Sequence, residues 1–352
     1  MGLLLFTKRG EEYKELFQSL PLPDWCPRKF PFTQSVNRIV SGIDPFNYTS
    51  VCEPISDIVK MPPNKLSFED MCITKALEIK KLDGDIFIMY SGGIDSTSAV
   101  VSFLLSWSLQ ELKRVYIVTS KEGQDEFPEF WYDLNKVFEG RMLNSFEHIE
   151  NFCKRGYVIT GEHGDQIFGS DVIKTSVHHF GYTSMHQSWE KYIPTVYHKM
   201  FGTKIAKNMV DVYEPLLAYC PFQLKSTFDW LWWFNFTNKW QHVKYRMLSF
   251  SPWEDPKNNF KKIIHFYDSP HWQRWSLDNH DKKMGSTLNE YKVPAKDFIV
   301  KYTKYNSYRS KLKLGSLSNV WNQFQCYDAI DTDFNFLTLE QSLQHINKGD
   351  KK

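Results

Sequence analysis

The sequence predicts an α/β protein built on a doubly wound, mainly parallel sheet, with a helical C-terminal part and a small irregular N-terminal lobe. Three observations carry that prediction. The stretch DIFIMYSGGIDSTSAVVSFLL, Asp85 to Leu105, reads as strand, glycine turn and helix in one uninterrupted run. Two more short apolar runs, VYIVT (Val115 to Thr119) and YVIT (Tyr157 to Thr160), alternate with segments of helical spacing, the pattern of buried parallel strands. The first and last of these runs end in loops that combine glycine with acidic residues, at the carboxyl ends of strands, where open parallel sheets bind ligands.

Taken in order, Met1 to about Asn64 is proline-rich in patches and lacks a long helical period except at Glu11 to Leu20, so residues 1–64 read as the N-terminal lobe. Residues 65–340 read as the main domain and 341–352 as a tail. Phe68, Met71, Cys72, Ile79 and Leu82 share one helical stripe, which Asp83-Gly84 stops. Ile86 to Tyr90 is too short for a helix and reads as the first strand. Ser96 to Leu105 follows as a helix, with Asp95 or Ser96 placed to cap it. After the second strand, SKEGQDEFPEF reads as a loop and Glu129 to Phe138 as a helix. Arg141 to Asn144 is a short third strand, and Phe146 to Phe152 a helix before the YVIT strand. From Asp171 to about Pro256 the chain is helical and aromatic, broken by Pro194, Pro215 and Pro221. Trp230, Trp232 and Trp233 there read as core rather than as a substrate groove. His178-His179 reads as surface or packing, because adjacent residues face different ways.

Gly92 and Gly93 lack a Cβ, so the backbone at the first loop is free to take positive φ and to let a ligand approach. The N–H groups of the following helix start point into the same space, which makes the corner an anion site. The loop is neither a Walker loop nor GxGxxG. SGGIDS instead resembles the pyrophosphate loop of the N-type ATP pyrophosphatase superfamily, whose members split ATP between the α and β phosphates. The second loop, GEHGDQIFGS from Gly161 to Ser170, resembles the GEGADELFGG loop of the synthetase domain of asparagine synthetases. Gly161, Glu162, Asp165, Phe168 and Gly169 match; His163, Gly164, Gln166 and Ser170 depart. HFYDSPHWQRW is similar to that family's PFLD segment, and Tyr308-Arg309-Ser310-Lys311 to its closing region. The likeness spans about Ser67 to Ser316 and omits the family's glutaminase domain with its catalytic cysteine, since this chain begins Met1-Gly2.

The resemblance implies an adenine nucleotide alpha hydrolase-like fold and an ATP-dependent ligase. A carboxylate attacks the α phosphorus to give an acyl-adenylate, and an amine or ammonia then displaces AMP to make an amide. It implies Ser91, Gly92, Gly93, Asp95, Ser96, Val118, Thr119 and Gly161 at ATP and its pyrophosphate, and Mg2+ on Asp95 and Asp165. Glu162 would handle the amine, and Lys311, with Lys313 as fallback, would reach the leaving pyrophosphate. On pattern alone Asp165 is also placed to cap a helix, and Lys311 to be a solvated residue in a basic run. Without a glutaminase domain the chain is expected not to draw ammonia from glutamine.

Composition narrows the alternatives. A formal net charge of +2 over 352 residues supplies no global basic field for nucleic acid. The six cysteines include no CxxC pair and no zinc spacing, which counts against a nucleobase or transfer-RNA modification enzyme of the same superfamily. A nucleotide-binding homologue without activity is disfavoured by the intact Asp95, Glu162 and Asp165. The cysteine pattern and the short apolar N-terminus predict a cytoplasmic protein with no membrane partner.

Overall fold

The computed structural model describes residues 52–144, 149–170, 173–201, 210–211, 213–240 and 261–310, with Val243, Met247, Asn258 and Asn259. These residues fall into two compact units. One is drawn from Pro63–Gly164 and Trp253–Phe324, the other from Met1–Pro62, Asp165–Pro252 and Gln325–Lys352.

The first unit holds a five-stranded, all-parallel sheet of β1 (Asp85–Met89), β2 (Val115–Thr119), β3 (Met142–Asn144), β4 (Gly156–Thr160) and β5 (Ile263–His265) in the order β3-β2-β1-β4-β5. The chain steps outward from β1 through β2 to β3, then returns to the other side of β1 and steps outward again through β4 to β5. This is the doubly wound pattern, with its reversal between β1 and β4. Ile86, Phe87 and Ile88 of β1 are buried, as a central strand covered on both faces requires.

Helices α1 (Ile55–Lys60), α2 (Phe68–Lys80), α3 (Ile94–Ser106), α4 (Lys121–Glu126), α5 (Pro128–Val137) and α6 (Ile149–Arg155) occupy the N-terminal half. Ser67 and Asp70 close a reciprocal capping box at the start of α2, and Phe68, Met71, Cys72, Ala76 and Ile79 form its buried stripe. The Arg114 guanidinium donates to the Lys80, Leu82 and Gly84 carbonyls, so the end of α2 is tied to the start of β2. Phe87 of β1 packs on Tyr116 of β2 and on Phe152 of α6, with ring centroids 5.1 and 4.9 Å apart. α6 therefore covers the face of the sheet to which Phe87 points.

Four expectations need correction. The helix after β1 starts at Ile94 with Gly93 as its N-cap, and neither Asp95 nor Ser96 caps it. The segment read as a loop after β2 contains α4, started by the Ser120 hydroxyl, which accepts from the Gly123 N–H. β5 was not anticipated; at three residues it has no periodicity to display. Finally, α9 (Trp189–Phe201) in the second unit runs through Pro194 rather than breaking there. The expected helix at Glu11 to Leu20 lies outside the described residues, as do 146–148 of the one at Phe146 to Phe152.

In the second unit α7 (Gly164–Phe168, which starts at the unit boundary), α8 (Ile173–Phe180), α9 and α10 (Thr227–Asn238) follow one another. Trp230, Trp232 and Trp233 of α10 are buried, and the Trp230 indole donates to the Tyr197 hydroxyl of α9 at 2.8 Å, so these side chains are core. His178 and His179 are exposed on α8. Asn235 lies mid-helix among these aromatics. Its amide nitrogen donates to the Asp165 and Gly169 carbonyls, and its oxygen accepts from Gln166, which satisfies the end of the short α7.

Gly156 opens β4 opposite Asp85, and a Cβ there would lie 1.9 Å from the Asp85 carbonyl oxygen. Gly156→Ala is expected to lower stability by about 1–3 kcal/mol through overpacking of β1 against β4. A denaturation midpoint equal to that of the parent protein would show that the two strands have room to part.

Candidate active site

The strand reversal places two loops side by side within the first unit: Tyr90–Gly93 after β1 and Gly161–His163 after β4. The first is a tight turn. Gly92 takes φ 67°, and a Cβ on it would meet the Gly123 carbonyl oxygen at 2.4 Å and Glu126 Cβ at 2.6 Å, so glycine is required twice over. The Ser91 N–H donates to Ser96 Oγ at 3.1 Å, the two hydroxyls lie 3.0 Å apart, and Ser96 Oγ donates to the Gly93 carbonyl at 3.2 Å. Ser91 and Ser96 thus shape the loop from within. Gly93 is in ordinary extended backbone, so the positive φ expected of both glycines belongs to Gly92 alone. Val118 and Thr119, buried at the end of β2, lie beside this turn, and the Val118 carbonyl accepts from the Tyr90 N–H at 2.7 Å.

The second loop rests directly on the first turn of α3. A Cβ at Gly161 would lie 2.9 Å from the Ser96 nitrogen, and one at Gly164 would lie 2.2 Å from the Asp95 carboxyl carbon. Gly164 departs from the alanine of the resembling loop because the Asp95 side chain lies where a methyl would be. His163 departs from a glycine and still takes the backbone that glycine favours, with φ 69°. Its buried ring is 5.2 Å from that of His265, the last residue of β5. His265 Nδ1 is 2.6 Å from Thr160 Oγ1, which also accepts from the Glu162 N–H at 3.3 Å. Glu162 itself is half-buried.

Asp95 is the best-connected residue of the site. Lys292 Nζ lies 2.8 and 2.7 Å from its two carboxylate oxygens, and the Tyr267 hydroxyl donates to its carbonyl at 2.9 Å. The Lys292 side chain is 4% exposed and that of Asp95 16%. Lys292 immediately precedes α12 (Val293–Thr303) and has φ 59°. A left-handed non-glycine residue is strained unless its surroundings over-determine it, and such residues cluster at functional sites. Among the described residues only three non-glycines have positive φ, and His163 and Lys292 both belong here. Burial, more than any neighbouring charge, pushes the Tyr267 hydroxyl well above its usual pKa.

The closing segment reaches the same loop. After α12 the short turn Asn306–Ser310 brings the Tyr308 hydroxyl to the Gly92 carbonyl, where it donates at 3.3 Å, and its ring packs on Phe127 with centroids 4.2 Å apart. Arg309 points away to Asp297. Lys311 and Lys313 lie outside the described residues.

The structure therefore brings Ser91, Gly92, Gly93, Asp95, Ser96, Val118, Thr119, Gly161 and Glu162 together around one strand reversal. Asp165 falls in the second unit, in the first turn of α7. Among the described residues no group of three or more His, Cys, Asp or Glu is arranged to hold a metal. Sequence reasoning missed Lys292. A signal was present, since a lysine directly before Val293-Pro294 puts a cation at the positive end of a helix dipole, an unfavourable position without an anion to offset it.

Comparison of the chain with protein-family models, curated proteins and solved structures finds no match in any of the three. The fold is that of an α/β protein in which two loops meet at the carboxyl edge of a parallel sheet.

Asp95→Asn leaves the buried Lys292 ammonium facing a neutral amide, and is expected to lower stability by about 3–5 kcal/mol. Adding Lys292→Met should recover much of that loss. If denaturant titration shows the two substitutions to be additive, the pair contributes nothing to the fold.

Proposed function

We propose that the protein is an ATP-dependent ligase that forms AMP and pyrophosphate while joining a carboxylate to an amine or ammonia. The observation that carries this reading is the meeting of SGGIDS and GEHGD at the β1–β4 reversal, with Asp95 of one folded against Gly164 of the other. The two motifs that resemble an ATP pyrophosphatase are thus neighbours in space, 70 residues apart in the chain.

In the proposed reaction a carboxylate oxygen forms a bond to the α phosphorus as the bond to the bridging oxygen of the β phosphate breaks, releasing pyrophosphate. The amine then bonds to the acyl carbon, AMP departs with its oxygen, and the excess amine proton passes to Glu162. The N–H groups at the start of α3 favour negative charge at the phosphates. Lys292 is a cation already at the loop, and a polyphosphate arriving there competes with Asp95 for its ammonium. Magnesium, when bound, neutralises phosphate charge; Asp95 and Asp165 are the residues the resemblance assigns to it. Lys311 remains the proposed cation of the closing segment, supported by the anchoring of Tyr308 three residues earlier at Gly92.

ATP incubated with magnesium, a panel of carboxylates and an amine is expected to yield AMP and pyrophosphate; ADP as the only nucleotide product refutes the reading. Lys311→Ala and Lys292→Ala should each slow adenylation by about a hundredfold to a thousandfold, the loss seen when one preorganised donor is removed. Lys313→Ala should be nearly normal. A crippled Lys313→Ala beside a normal Lys311→Ala would move the cation by two residues.

A further inference from the structure

Lys296 is a buried lysine for which the proposed chemistry has no use. It is 3% exposed, like Lys292, and lies near the start of α12, where its N–H donates to the Lys292 carbonyl at 3.1 Å. Lys292 has the Asp95 carboxylate. Lys296 has only the Asn289 carbonyl, to which its ammonium donates at 2.8 Å, and among the described residues it has no carboxylate partner. The carboxylates of the elements packed on α12 are engaged elsewhere. On α3, Asp95 is held by Lys292. On α2, Glu69 binds Lys301, Asp70 caps its own helix and Glu78 pairs with Lys75. In the turn Leu288–Glu290, Glu290 accepts from Ser286 and Thr287, while Asp297 of α12 itself takes Arg309. The remaining basic residue of α2, Lys80, pairs outward with Glu111.

Two buried lysines therefore lie at the positive end of a helix dipole, and Lys296 has, among the described residues, no carboxylate of its own. Desolvation first, and repulsion from Lys292 second, lower the Lys296 pKa to about 8. An anion close to Lys296 would favour its charged form.

Resting on the nucleotide reading above, we propose that the polyphosphate of ATP is that anion, and that its binding at the β1–α3 loop draws a proton from solvent onto Lys296. Lys296 does not touch the phosphates in this account. It is a positioning charge whose protonation is linked to their presence, so affinity falls as pH rises through the free-state value and levels off below it.

The test is calorimetry of ATP with magnesium and no acceptor, repeated in buffers of different ionisation enthalpy, which reads protons taken up per ATP bound. With a free-state pKa of about 8, uptake at pH 8 should approach about half a proton and fade toward pH 6.5. K296M should abolish the uptake and weaken binding roughly tenfold, the size of one charge interaction at an effective dielectric near 20. K296R, which stays charged, should bind ATP without taking up a proton. Uptake that persists in K296M overturns the proposal, as does ATP binding by the parent protein with no uptake at all; in both cases the nucleotide reading survives. A parent protein that binds no ATP at pH 7 takes both down. If circular dichroism shows K296M to be unfolded, K296R decides: uptake lost with binding kept supports the proposal, and uptake kept refutes it.

Discussion

The ion pair between Asp95 and Lys292 joins residues 197 positions apart, and four segments of the first unit converge on it. Asp95 belongs to the first turn of α3, Gly164 gives way to its carboxylate, Tyr267 beyond β5 holds its carbonyl, and Lys292 begins α12. Each contact is geometrically demanding in a different way. Gly164 has no room for a methyl, Lys292 must accept a left-handed backbone, and the lysine must be almost wholly withdrawn from water. A buried ion pair of this kind adds little stability over a well-packed apolar substitute, but losing one partner is severe. In the proposed function, an arriving polyphosphate would attract Lys292 and leave Asp95 for magnesium.

The two flanking loops divide the work. The turn after β1 is stiff, because Gly92 is hemmed in by Gly123 and Glu126 and the Ser91–Ser96 hydroxyls lock it from inside. The turn after β4 carries His163, a departure from the resembling loop, in ring contact with His265, and Thr160 at the end of β4 links His265 to the Glu162 backbone. In the proposed function, the first loop would hold the phosphates and the second would face the acceptor. Buried thiols take no part in either. The Cys72 thiol is pushed well above its usual pKa by burial, and that of Cys153 up to about 12, so neither is a nucleophile near neutral pH.

What was legible in the sequence was local. A five-residue apolar strand running through SGG into a helix states its own fold, and Gly161, Glu162 and Asp165 are read from a loop whose meaning lies in adjacent residues. Lys292 and β5 were hidden for related reasons. Lys292 is informative only through a contact 197 residues away, and Ile263–His265 becomes a strand only because β4 offers it a free edge. The capping of α3 was misjudged because Asp95 fits two roles on pattern alone, helix cap and ion-pair partner. The lysine that decides between them lies beyond any local window. α4 was taken for a loop because five polar residues and a glycine lack the apolar stripe by which short helices announce themselves.

The strand order β3-β2-β1-β4-β5 also fixes when the site comes into being. During synthesis β1, β2 and β3 emerge first and can pair locally, but the partner on the other side of β1 arrives only with Gly156 and the partner of Asp95 only with Lys292. Contacts of such long sequence separation form late, after the loop-closure entropy of the intervening chain has been overcome. A nascent chain shorter than about Lys292 lacks the lysine that pairs with Asp95. The buried ion pair at the strand reversal thus forms only near the completion of folding.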